Sequence, residues 1–169
     1  ETISLELAAQ SQSPVDHVFC PAGGGGLCVA VARGFQTLVR EGALSAPAAV
    51  HCVQPEGNDT IAGPLREGLE HARPVACTTK ISGLQVASVV DGHLAVEACR
   101  STGGTGHLVT DEDVWQVQKR LATEEGIFSE PAGAVALAGA LQAVQAGEID
   151  PASTIVCLVT GTGFKDDAA

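Results

Sequence analysis

Short apolar runs and longer amphipathic stretches take turns along this chain. Residues 2–11 place Ile3, Leu7 and Ala8 on one helical face, and Ser13-Pro14 breaks the pattern. Residues 16–21 (Asp-His-Val-Phe-Cys-Pro) predict a short buried strand. From Leu27 to Arg40 helical spacing returns, with Leu27, Ala30, Val31, Gly34, Phe35 and Leu38 apolar or small, and Gly42 fits the helix end. Residues 48–54 predict a second buried strand, after which Asn58 or Asp59 can cap a helix over about residues 60–70.

Residues 72–108 read less regularly. They offer strand-like pieces at 87–90 and 94–98 around the turn Asp91-Gly92, then a glycine-rich link at 103–106. Thr110 is placed to cap a helix whose first turn is acidic (Asp111, Glu112, Asp113), running to about residue 125. Glu130-Pro131 opens an Ala-rich helix that runs to Ala146 and stops at Gly147. Residues 154–160 predict the last strand, apolar inside, ended by Gly161-Thr162-Gly163. Alternation of strands and helices predicts an α/β fold, a three-layer Rossmann-like parallel sheet with helices on both faces. No repeat or linker interrupts the 169 residues, which suits a single domain.

Composition refines this picture. Hydrophobic residues make up 45 %, mostly Ala and Val, and such small side chains suit helices lying close on a sheet. The net charge of −11 argues against nucleic acid and against an anionic membrane surface, because both need clustered cations. It leaves room for a phosphorylated small ligand held by backbone N–H groups. No apolar run approaches the roughly 20 residues of a membrane span. Six cysteines without a C-x-x-C pair read as free thiols of a reducing cytoplasm, and five scattered histidines supply no zinc-ligand spacing. The first residue is Glu and helical pattern starts at once, which gives the expectation of a chain cut from a longer one.

The clearest chemical signal is the strand–Pro21-Ala22-Gly23-Gly24-Gly25-Gly26-Leu27–helix junction. A helix N-terminus leaves free N–H donors and a partial positive charge. Four glycines let several of those donors converge on one oxyanion with no Cβ in the way. The run is neither a dinucleotide fingerprint, since Cys28 or Val29 stands where a third glycine belongs, nor a Walker A loop, since no Gly-Lys-Ser/Thr follows. A tightly packed turn is the plain alternative to phosphate binding.

Four segments in order resemble one family. Cys20-Pro-Ala-Gly-Gly-Gly-Gly-Leu27 resembles the phosphate loop of fold-type II pyridoxal 5′-phosphate (PLP) enzymes, the threonine synthase and threonine dehydratase (tryptophan synthase beta-like) superfamily. Val53-Gln-Pro-Glu-Gly57 is similar to the strand end that follows there. Asp111 to Val114 with Glu124 to Ala134 (EEGIFSEPAGA) resembles a third stretch, and Val159-Thr-Gly-Thr-Gly-Phe-Lys-Asp166 resembles the closing segment of threonine synthases. The resemblance covers nearly the whole chain.

It implies PLP as cofactor, phosphate donors from Gly23, Gly24, Gly25, Gly26 and Leu27, and Thr160 facing the pyridine nitrogen. A neutral hydroxyl there leaves the ring a weaker electron sink than a carboxylate would, which favours elimination and replacement over transamination. Glu130 is implied near the cofactor or a cation; read by itself it is an acid at a helix N-terminus. Read by itself, Thr160 is a strand-end residue in a turn, and Glu56 a solvated loop carboxylate that the resemblance puts near the substrate entrance.

The resemblance also implies a Schiff-base lysine near the start of the full protein. Of the three lysines, Lys80 lies in a connector, Lys119 on a charged helix face, and Lys165 in the Gly-x-Lys-Asp ending, where Asp166 or Asp167 is its simplest partner. The chain is therefore expected to be the C-terminal part of the large PLP-binding domain, without catalytic lysine or metal and inactive alone. The N-terminal half with the small domain would come from elsewhere, and a homodimer is implied. The leading activity is a lyase of threonine synthase type acting on O-phosphohomoserine, favoured by the Gly-Thr-Gly-Phe-Lys-Asp ending. A threonine/serine dehydratase or other amino-acid ammonia-lyase is favoured by the four glycines. The other classes are a non-catalytic phosphate- or PLP-binding subunit and, against the glycine spacing, a dinucleotide oxidoreductase.

Overall fold

Four strands form one parallel sheet in the computed structural model, which describes residues 1–166. They are β1 (His17–Pro21), β2 (Ala49–Pro55), β3 (Gly106–Val109) and β4 (Ile155–Cys157), in the order β3-β2-β1-β4. Six helices accompany them: α1 (Thr2–Gln10), α2 (Gly26–Arg40), α3 (Ala62–Arg66), α4 (Gly92–Ser101), α5 (Asp111–Glu124) and α6 (Pro131–Gln145).

Successive side chains of a strand point to opposite faces, and here this splits the core in two. Val18, Cys20, Val50 and Cys52 pack with Val31 and Phe35 of α2 and Val96 and Cys99 of α4. Phe19 and Val53 pack on the other face with Val114, Val117 and Leu121 of α5 and the alanines of α6. The chain thus runs β1, β2, β3 with α2, α3 and α4 on one face. It then returns over the other face through α5 and α6 and places β4 beside the free side of β1. Strand order reverses between β1 and β4, and their carboxyl ends border the crevice where open α/β sheets bind ligands.

Small residues set the layer spacing. A Cβ at Gly139 of α6 would lie 2.6 Å from Val53 Cγ1, so the helix lies against β2 only because that atom is missing. The capping box of α5 closes as its sequence requires: Asp113 N–H donates to Thr110 Oγ1 (3.1 Å) and Thr110 N–H to Asp113 Oδ2 (3.2 Å).

Several expectations need correction. Residues 94–98 are not a strand: Gly92, Ala95, Val96 and Cys99 recur at helical spacing and form the buried side of α4, which starts at the expected turn Asp91-Gly92. Residues 87–90 are irregular chain. The glycine-rich link leads into β3, because glycine at 104 and 106 lets the chain press onto the Val50 and Ala62 carbonyls. The helix after Asp59 spans only Ala62–Arg66. In α1 the fully buried residue is Ser4, whose hydroxyl donates to the Val31 carbonyl at 2.7 Å, while Ile3 is exposed. The last strand pairs over only three residues, all half-buried, because one neighbour alone holds it.

Three histidines far apart in sequence meet beneath α6. His51 Nε2 and His17 Nδ1 are 3.0 Å apart, as are His51 Nδ1 and His107 Nε2. Phe19 stacks on the His51 ring at 4.5 Å. The Thr105 amide donates to His51 Nδ1 (3.3 Å), so the neutral ring carries its proton on Nε2. Burial first, then the neighbouring His107 and His17, pushes His51 down to about 3. Burial likewise pushes His107 down to about 4, although Glu148 pulls the other way.

This row makes stability depend on pH. Above the ordinary histidine value of 6.5, His51 and His107 are neutral in both folded and unfolded chains and contribute no slope. Below it the unfolded chain takes up protons that the folded chain refuses, so stability falls as pH drops from 6.5 toward 4 and on toward 3. Urea midpoints measured from about pH 7 to about pH 5 should fall, and His51→Gln should flatten that slope. An equal slope in wild type and variant would count against the row as its source.

Candidate functional site

The glycine loop begins where β1 ends. The Ala22 amide still donates to the Val53 carbonyl (2.9 Å), and with Gly23 the chain leaves the sheet. Gly25 adopts φ +94° and caps α2; its absent Cβ would stand 2.8 Å from Ala95 Cβ and 3.0 Å from Ile61 Cδ1. Positive φ and close contact together demand glycine here. Among the described residues, no protein acceptor takes the N–H groups of Gly23, Gly24, Gly25, Gly26 or Leu27. Five donors at the positive end of a 15-residue helix make a cradle for an anion. One acid opposes it: a Cβ on Gly26 would be 3.1 Å from Asp91 Oδ2, whose side chain is exposed and free to turn.

Gln54, fully buried at the end of β2, ties this loop down. Its Nε2 donates to the Ala22 carbonyl (3.2 Å) and to Thr60 Oγ1 (2.9 Å), with a longer contact to the Gly23 carbonyl (3.4 Å). Its Oε1 accepts from the Ile61 (2.7 Å) and Ala62 (2.9 Å) amides. One side chain thereby satisfies the loop's inner carbonyls and the first amides of α3. From above, Asp91 N–H donates to the Gly24 carbonyl at 2.9 Å. Gly24 and Gly25 are held in place while their own N–H groups stay open.

The opposite wall grows from β4. Beyond Cys157 the chain continues to Thr160, which is half-buried and whose hydroxyl has no protein partner among the described residues. Gly161 turns with φ +48° and lies directly against the carboxylate of Glu130, while Gly133 of α6 presses onto the Thr160 carbonyl. Glu130 N–H donates to the Gly161 carbonyl at 3.2 Å. The segment after Gly161 folds back: Ser129 pairs with Thr162, Gly163 N–H donates to the Phe128 carbonyl (3.0 Å), and Phe164 meets Phe128 edge-on at 5.1 Å. Lys165 Nζ thereby reaches Glu130 Oε2 at 2.8 Å.

The two walls are neighbours. Both rise from the carboxyl ends of adjacent strands, and the 3₁₀ turn Ser82–Leu84 joins them. A Cβ on Gly83 would be 3.0 Å from Ala132 and 4.0 Å from Glu130 Oε2, while the Gly83 carbonyl lies 3.6 Å from the Cβ position of Gly23. The structure therefore brings Gly23, Gly24, Gly25, Gly26, Leu27, Thr160 and Glu130 to one edge of the sheet. Glu56 is exposed in a 3₁₀ turn on the same edge, with no bond to the glycine loop. Lys80 and Lys119 are exposed. Lys165 Nζ pairs with Glu130 Oε2; of the aspartates expected beside it, Asp166 accepts from Ser82 Oγ and Asp167 lies outside the described residues.

The donor set, open amides after β1 and an unengaged Thr160 hydroxyl after β4 among the described residues, suits a ligand that carries a phosphate and a ring nitrogen. Gln54 was missed by sequence reasoning: a glutamine in an apolar strand was the available signal, because burying one requires partners.

Comparison with known proteins points the same way. Residues 1–161 match the family model described as "Pyridoxal-phosphate dependent enzyme". The threonine synthase of Methanocaldococcus jannaschii is 34 % identical over all of this chain and 42 % of its own length. Among solved structures, maize serine racemase superposes with a TM-score of 0.77 at 26 % identity, over 96 % of this chain and 48 % of that one. Threonine deaminase isoform 2 of Solanum lycopersicum gives 0.75 at 27 %, over 95 % and 44 %. The chain thus spans less than half the length of these proteins.

Gln54→Leu keeps the volume and removes every bond just described, leaving the Ile61 and Ala62 amides buried without an acceptor. Urea denaturation should show a loss of about 2–5 kcal/mol. A loss under about 1 kcal/mol would mean that water replaces the side chain.

Proposed function

Because this chain belongs to the pyridoxal-phosphate dependent enzyme family, we propose that it forms the phosphate and ring-nitrogen wall of a PLP-dependent lyase of threonine synthase type, acting on O-phosphohomoserine. The observation that carries the reading is the set of five unpartnered amides at the start of α2, in the switch-point crevice between β1 and β4. When bound, PLP supplies an electron sink for bond cleavage at the amino-acid substrate. Gly23 to Leu27 hold the phosphate, and the N-terminus of α2 stabilises its charge. Thr160 offers a neutral hydroxyl to the ring nitrogen and does not keep a proton there, which directs the chemistry to elimination and replacement on the side chain.

In this reading the chain is the C-terminal part of the large domain. The Schiff-base lysine, the small domain and the substrate-carboxylate loop belong to the remaining length of the protein, which functions as a homodimer in the cytoplasm. Six free thiols fit that compartment. Among the described residues no helix is long and apolar enough to cross a membrane. The identity to threonine synthases supports the substrate. The four-glycine loop and the likeness to serine racemase and threonine deaminase favour an ammonia-lyase acting on threonine or serine as the second reading.

Two experiments test this. The chain alone should bind PLP reversibly, and borohydride followed by mass spectrometry should leave no adduct on Lys80, Lys119 or Lys165. Gly25→Ala, strained at φ +94°, should weaken binding roughly tenfold, the equivalent of about 1.4 kcal/mol, and Asp91→Asn should strengthen it. A stable lysine adduct, or PLP affinity indifferent to Gly25, would contradict the assignment. In the full-length protein, phosphate release from O-phosphohomoserine supports the synthase; ammonia release from threonine without phosphate release transfers the assignment to the dehydratase.

A further inference from the structure

Glu130 stands out among the acids of this chain. It is 6 % exposed, it lies beside Gly161 and hence next to Thr160, and its partner is a lysine from the segment that folds back after β4. A buried carboxylate stays charged only where other groups compensate it. Two do so here: the N-terminus of α6, where Glu130 holds the N-cap position without a side-chain capping bond, and the Lys165 ammonium, 2.8 Å from Oε2.

We propose that Lys165 is a positioning residue that cancels the Glu130 charge and so keeps the ring-nitrogen end of the crevice electrically neutral, leaving Thr160 as the group that faces the nitrogen. The inference rests on the PLP reading above. Its logic is electrostatic. A lone carboxylate close to a pyridine nitrogen would favour the protonated ring, and a protonated ring would withdraw electrons more strongly and open reactions at the α-carbon. Paired with an ammonium the same carboxylate presents no net charge, and a neutral hydroxyl decides the protonation state.

Local structure holds the pair together. The Ser129–Thr162 pairing, the Gly163 amide on the Phe128 carbonyl and the Phe128–Phe164 contact bring residues 162–165 back over Glu130. Asp166, the next charged residue, accepts from Ser82 Oγ at 2.7 Å. Lys165 is itself 59 % exposed, so its replacement leaves the core intact, and the consequence falls on Glu130. With the lysine gone, the N-terminus of α6 is the one group left of the two that offset the Glu130 carboxylate beside Gly161 and Thr160.

The test uses the full-length protein loaded with PLP labelled with ¹⁵N in the ring, with the nitrogen chemical shift followed against pH by NMR. Wild type should show an unprotonated nitrogen. Lys165→Gln should raise its titration midpoint by about 1–3 units, as expected for a charge at this range. Lys165→Arg and the double variant Glu130→Gln/Lys165→Gln should both restore the wild-type shift, the first by replacing the cation and the second by removing the anion. An unprotonated wild type with Lys165→Gln unchanged overturns this inference and leaves the PLP reading standing. A nitrogen already protonated in wild type overturns the assignment of Thr160 and this inference with it.

Discussion

A backbone N–H without a protein acceptor must find its partner outside the protein. Among the described residues, Gly23 to Leu27 leave five such groups together, at the start of a helix whose dipole adds positive charge, in a molecule of net charge −11. The rest of the structure holds that local exception in place. Gln54 holds the carbonyls beneath the loop, the Asp91 amide fixes it from above, and Ala95 and Ile61 close in on Gly25 so tightly that no Cβ fits. The donors are thereby pre-arranged, and an anion arriving there need not order the loop that binds it.

Topology supplies the second half of the site. The chain lays out β1, β2 and β3 in one direction and crosses to the other face before placing β4, so two strand ends far apart in sequence become neighbours. Only this reversal sets Thr160 and Glu130 beside the glycine loop. The Ala- and Gly-rich α6 makes the arrangement close, because Gly139 and Gly133 let it lie directly on Val53 and on the Thr160 carbonyl. Composition, packing distance and site geometry are thus one chain of causes.

Elements with a strong period and clear termini were legible from residue order. The five strand residues before the glycines, α2 with Gly42, α5 with its Thr110 capping box, and α6 between Pro131 and Gly147 all sit where pattern and capping chemistry put them. Elements that owe their conformation to neighbours did not. Leu94 to Ala98 carries enough apolar residues for a strand and becomes helical because Ala95, Val96 and Cys99 pack in one cluster with α2 and β2, while Gly92 lies against Ala72 and Ile61. β3 has almost no apolar signature and exists because Gly104 and Gly106 tolerate backbone contact with β2 and α3. Half of the stretch 154–160 stays outside the sheet because it has one neighbour.

The same division runs through the site. Residue order pointed to open N–H donors after β1, because donors freed by consecutive glycines at a helix start are a local property of the backbone. It also marked the family, through short segments in a fixed order. Only the tertiary structure decided that Gln54 ties down the loop, that Lys165 reaches Glu130, and that His17 joins the buried His51 and His107 in one row. Those pairings join residues 32 to 56 positions apart, and side-chain partners at such separations are set by how layers stack, which local propensity does not encode.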